Sequence, residues 1–135
     1  MDFITSTLCM TKDIGVHNNL FGGIMLGWLD MAGAMYATKT CHTPNMVTVK
    51  LNEVTFKLPV KVNNHINFYG EVRNVGRTSI TIYLEARKFN VYTRTEELVC
   101  STDITFVRID EEGKPIPISQ HVKDKIEAKN AAAKN

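Results

Sequence analysis

Two hydrophobic periods divide this chain. From Leu20 to Thr38 a nearly uncharged run, broken only by Asp30, repeats at about 3.6 residues. Gly23, Gly27, Asp30, Ala34 and Ala37 fall on one narrow stripe, and Ile24, Trp28, Met31 and Met35 lie opposite. Both sides are apolar, which predicts a helix buried nearly all round, with a small-residue face that admits close backbone approach. Asn18 or Asn19 is a suitable N-cap, and Pro44 ends the helix near Cys41–Thr43.

Beyond Pro44 the period falls to two. Val47, Val49 and Leu51 alternate, then Val54 and Phe56 alternate in the opposite phase, which predicts a bulge near Asn52–Glu53. Ile66, Phe68 and Val72 mark another strand, and Ile80, Ile82, Leu84 and Ala86 the next, joined by a tight turn at Val75–Ser79. Phe89 and Val91 change phase again, as at a second bulge. Leu98, Cys100, Ile104 and Phe106 share one face of a strand from Glu97 to Ile109. Ahead of the helix, Phe3–Lys12 reads as a first strand. Ser119 is placed to cap a last helix through Ala128, after which a polar, alanine-rich tail is expected to fray. The pattern is strand, helix, then four antiparallel strands. One sheet of about five strands cannot cover that helix on every side, so a second subunit is expected to continue the sheet at an edge.

At 135 residues the chain makes one domain, and 44% apolar with 22% charged residues is ordinary for a globular protein. A net charge of +2, without basic runs or recognition motifs, argues against nucleic-acid binding. The apolar run is short for a membrane span and carries Asp30 at its middle, so no membrane role is expected. No signal peptide is apparent. Cys9, Cys41 and Cys100 are scattered and odd in number, as in a reducing cytoplasm. They and the four dispersed histidines lack metal-ligand spacing, so no metal is expected. Asp30 is the one group whose position demands an explanation. A carboxylate within an apolar helix is either satisfied structurally or used chemically, and the residues alone favour neither.

The ordered set Asn19, Phe21-Gly22-Gly23, Asp30 and Gly33 resembles the hot-dog fold acyl-CoA thioesterases, close to the cytosolic acyl-CoA hydrolase branch. Val54-Thr55-Phe56, Pro59-Val60, Gly76-Arg77-Thr78-Ser79 and Asp110 with Gly113-Lys114-Pro115 extend the likeness from about Leu8 to Pro117. The resemblance implies an α+β hot-dog domain over residues 1–118, followed at 119–135 by a C-terminal helix and flexible tail. It implies a homodimer as minimal unit, assembling further to a tetramer or hexamer, with acyl-CoA bound between subunits. CoA is then part of the substrate, and no separate cofactor is expected.

On the same basis Asp30 acts as nucleophile or general base on the thioester. The N–H groups of Gly22 and Gly23 in the first helical turn are suited to hold the developing oxyanion. Asn19 is the first choice to orient water or substrate, with Asn18 and His17 behind it. Gly76, Arg77, Thr78 and Ser79 are placed to meet the CoA phosphates or pantetheine, Arg77 as a phosphate partner. Two other readings remain: a non-catalytic acyl-CoA-binding module and, further off, a hydratase or dehydratase pairing a histidine with the carboxylate.

Overall fold

The computed structural model describes residues 1–134. Five strands, β1 (Asp2–Leu8), β2 (Met46–Phe56), β3 (His65–Val75), β4 (Ser79–Phe89) and β5 (Glu96–Arg108), form one antiparallel sheet in the order β1-β3-β4-β5-β2. One long helix, α1 (Gly22–Cys41), lies across one face of it, and α2 (Gln120–Lys134) closes the chain.

The strands alternate as the sequence pattern requires. Ile80, Ile82, Leu84 and Ala86 of β4 face Ile104 and Phe106 of β5 and Ile66 and Phe68 of β3 in a fully buried layer. Met25, Leu29, Ala32, Gly33 and Ala37 press α1 onto that layer. Contact is close at Gly33, where a Cβ would sit 2.9 Å from both Leu84 Cδ1 and Phe106 Cζ. On the opposite face, half-buried Arg87 stacks 4.0 Å over the Tyr69 ring and pairs with Glu85 at 2.7 Å.

Several elements depart from expectation. β1 stops at Leu8 rather than Lys12, because the Asp13 carboxylate accepts the Met10 N–H at 2.9 Å and curls Thr11–Asp13 into a 3₁₀ turn. Neither Asn18 nor Asn19 caps α1; the capping position is Phe21, whose own N–H donates to the Asp13 carbonyl at 3.1 Å. The expected bulge in β2 is present, with a register shift between Asn52 and Thr55 and Glu53 at φ 52°. The phase change at Phe89–Val91 is not a bulge: β4 ends at Phe89, Val91 is exposed in the following loop, and the β4–β5 register slips earlier, at Ala86/Arg87.

Nor is α1 buried all round within one chain. Met31 is 64% exposed, Met35, Phe21 and Gly27 are exposed as well, and edge strand β2 shows Val47, Val49, Leu51 and Phe56 to the outside. At the C-terminus, Ser119 Oγ accepts the Val122 N–H at 3.3 Å, as expected of a cap. The helix continues past Ala128 to Lys134, and Asn135, the end of the tail expected to fray, lies outside the described residues. Val122 and Ile126 join the main core, so α2 is packed onto the domain rather than appended to it.

Candidate functional site

Asp30 projects from the side of α1 that faces edge strand β2. Its Oδ1 accepts the Thr48 hydroxyl at 2.6 Å, and the residue is partly buried rather than enclosed. One carboxylate oxygen is thus fixed by a neutral hydroxyl donor. Thr48 gave no signal in the sequence. It is one of several β-branched residues in β2, and only the packing of helix on strand selects it.

The beginning of α1 offers donors. Because Phe21 carries no side-chain acceptor, the first helical turn is uncapped. The Phe21 carbonyl takes the N–H groups of Ile24 and Met25, while those of Gly22 and Gly23 make no hydrogen bond among the described residues. A Cβ at Gly22 would meet only the Phe56 ring, Cζ at 3.6 Å and Cε1 at 3.9 Å.

The loop ahead of the helix is held from inside. Asp13 is buried, and the Met10 N–H and then the Lys12 ammonium hold its carboxyl below the usual aspartate range. Leu20 N–H donates to the Val60 carbonyl at 2.7 Å, pinning the loop to the segment after β2. His17 and Asn18, both near φ 59°, form an exposed turn whose side chains make no hydrogen bond among the described residues. Asn19 points inward instead. Its Oδ1 is buried and has no hydrogen-bond partner among the described residues. Leaving a buried acceptor unpaired costs on the order of 1–3 kcal/mol, so its position asks for an explanation. Asn19 lines a cavity of about 310 Å³ bounded also by Met25, Phe56, Leu58, Val60 and Val99.

Two groups of candidate residues therefore stand apart within one chain. Gly22 and Asp30 are eight residues apart on one helix, a rise of about 12 Å, too far for one thioester carbonyl to touch both. Gly76–Ser79 sits at the Thr48 end of the sheet, since Ile80 pairs with Phe106 and Phe106 with Thr48. There Gly76 N–H donates to the Ser79 carbonyl at 2.8 Å, and Arg77 carries its side chain into solvent while its carbonyl takes the Ile118 N–H. Asn19, Gly22 and Gly23 gather at the opposite, Phe56 end. Along β4 the two ends are about 20 Å apart.

Comparison with known proteins gives this geometry a context. The model of the thioesterase superfamily matches residues 17–93. The acyl-CoA thioester hydrolase YciA of Escherichia coli is 31% identical over 122 residues, covering 84% of this chain and 88% of that one. HI0827, a hexameric broad-specificity acyl-coenzyme A thioesterase, superposes with a TM-score of 0.88 at 28% identity, over 97% of this chain and 96% of the other. A hexameric hot-dog fold thioesterase of Campylobacter jejuni gives 0.83 at 31% identity, over 94% and 97% of the two chains. The family match begins at the pre-helix loop, includes all of α1 with Gly22, Gly23 and Asp30, and runs past β4. This chain belongs to the thioesterase superfamily, on a hot-dog fold.

Proposed function

We propose that this protein hydrolyses acyl-CoA thioesters to a carboxylic acid and free CoA, in a site completed by a second copy of the chain. The observation that carries the reading is the placement of Asp30. It is the one acid of α1, oriented by Thr48, on the helix flank that its own sheet leaves open.

Antiparallel pairing of β2 with β2 of a second copy continues the sheet and covers Val49, Leu51 and Phe56. The same operation lays the Thr48 end of one chain beside the Phe56 end of the other. Asp30 of one copy then faces Gly22 and Gly23 of its neighbour, and the Gly76–Ser79 turn comes within reach of the same groove. A hexamer built from three such dimers is the assembly this reading favours, as in the related thioesterases described above.

In that site the thioester carbonyl oxygen lies against the N–H groups of Gly22 and Gly23, where the helix dipole favours negative charge. Asp30 either takes a proton from water as it attacks the carbonyl carbon or attacks directly, forming an anhydride that water then opens. The tetrahedral intermediate collapses with cleavage of the C–S bond, and the CoA thiolate leaves and is protonated. Asn19, with Asn18 and His17 on the loop behind it, orients the water or the substrate at the carbonyl. Arg77, with Gly76, Thr78 and Ser79, meets the phosphates and pantetheine of CoA. The chemistry needs no cofactor. The cysteines are free thiols, which suits a cytoplasmic setting. Among the described residues no helix is long and apolar enough to cross a membrane.

The test is release of CoA thiol from a panel of acyl-CoA esters, wild type beside Asp30→Asn. Release that falls about 100-fold or more in the variant supports the assignment. Unchanged turnover removes Asp30 from the reaction, and tight ester binding without release points to a binding module.

A further inference from the structure

We propose that Arg108 is a positioning residue for CoA: its guanidinium fixes the strap of residues 115–118 that holds the Gly76–Ser79 turn, and so sets where Arg77 meets the phosphates. This inference rests on the thioesterase reading above, and within it on the assignment of that turn to CoA.

Two backbone bonds hold the turn from outside. The Arg108 N–H donates to the Thr78 carbonyl at 2.9 Å, and the Ile118 N–H donates to the Arg77 carbonyl at 2.9 Å. The second bond is only as firm as the strap that presents it. After β5 the chain reverses at Asp110–Lys114, where the Asp110 carboxylate accepts the Glu112 and Lys114 N–H groups at 2.9 Å each. It then returns alongside β5, and the Ile116 N–H bonds the Arg108 carbonyl at 2.9 Å. Pro115 and Pro117 have no N–H to give. At Pro117 the strap is tied by its carbonyl instead, which takes Nη1 of Arg108 at 2.8 Å in a charge-assisted bond. Main chain and side chain of one residue thus hold the turn and the strap together. Ile118 is buried in the core, so loss of the guanidinium should shift the strap rather than unfold it. The two arginines differ in what they are free to do. Arg108 has Nε buried and Nη1 spent on Pro117. Arg77 is exposed, and its side chain makes no hydrogen bond among the described residues.

The experiment measures kcat and KM for the acyl-CoA turned over best and for the matching S-acyl-pantetheine, which lacks the phosphates. The proteins are the wild type, Arg108→Met, Arg108→Lys, Arg77→Ala and the Arg108→Met/Arg77→Ala double variant. Arg108→Met removes the donor and leaves the Pro117 carbonyl to water. It is expected to raise KM for the CoA ester about three- to tenfold with kcat little changed, and to leave the pantetheine ester as it was. Arg108→Lys, which keeps a cationic donor, is expected to lose less. In the Arg77→Ala background the further loss should vanish, since a positioning residue acts only through what it positions. An equal loss on both esters overturns the inference, because it marks a general structural role. A loss that multiplies with that of Arg77→Ala also overturns it, because it marks a contact of Arg108's own. A CoA-selective loss in Arg77→Ala beside an unchanged Arg108→Met removes this inference alone. No such loss in Arg77→Ala removes the CoA assignment of the turn and this inference with it, and no thiol release from any ester removes the thioesterase reading itself.

Discussion

If one site draws Asp30 from one chain and Gly22 from another, two inactive variants should restore each other. The perturbations are Asp30→Asn, which keeps the shape of the acid, and Gly22→Pro. Gly22 is the first residue of α1, where proline is well tolerated and its only loss is an N–H that the helix does not use. Phe21 at φ −66° and ψ 131° already has the backbone that precedes proline comfortably, and the new Cβ meets only Phe56 at 3.6 Å. Alone, Asp30→Asn is expected to lose about 100-fold or more, and Gly22→Pro about 100- to 1,000-fold as an oxyanion donor is removed. Co-expressed at equal levels, half of the dimers are mixed. Each mixed dimer carries one site with both changes and one with neither, so the preparation should recover about a quarter of wild-type specific activity. Two different affinity tags isolate assemblies that hold both chains; in a hexamer of three dimers nearly all do, so their activity should stay near a quarter. Thiol release no greater than the sum of the two parents would refute the shared site, because the intrachain distance of about 12 Å allows no other productive pairing.

Other outcomes follow from the same geometry. Arg77→Ala should raise KM for CoA esters several-fold with little change in kcat; an equal effect on a phosphate-free pantetheine thioester would rule out phosphate contact. Gly33→Ala should cost about 1–3 kcal/mol, since its methyl is driven against Leu84 and the Phe106 ring, and should lower the apparent Tm by on the order of 5 °C in a thermal melt. Asp13 has a depressed folded pKa, so its contribution is present above the unfolded aspartate value near 3.9 and is lost as pH falls through the folded value. Urea midpoints between pH 5 and 2.5 should therefore fall less in Asp13→Asn than in the wild type, and identical slopes would exclude this role.

The readability of the chain depended on how local each signal was. The period-two runs at 80–86 and 100–106 and the bulge at Asn52–Glu53 concern neighbours along one strand, and the structure reproduces them. The start of α1 was misassigned because an asparagine before an apolar run looks like a cap. Here the deciding contacts are tertiary: Asp13 holds Phe21 through the backbone, and Val60 holds Leu20. Asp30 stood out because a charge interrupts an apolar helix. Thr48, its partner, could not stand out, since a threonine on a strand is unremarkable until a helix crosses it. The expectation of an all-round burial was correct as a statement about residue types and incomplete as one about a single chain. The exposed face of Met31 and the bare edge of β2 record surface that this sequence does not cover by itself.

The strand order has a consequence for how the chain comes into being. β1 and β2, the first two strands synthesised, are the two edges of the sheet, while its centre, β4 and β5, is made last. α1 is complete at Cys41, but the layer that receives it is not finished until Arg108, about 65 residues later. At about 5–20 residues per second, an apolar helix spends roughly 3–13 s at the ribosome without its sheet. The β3–β4–β5 meander can form from neighbours alone, so it should fold first and recruit the older half of the chain onto itself. A nascent chain stalled after Phe89 should then keep α1 open to protease, and the released full-length chain should protect it.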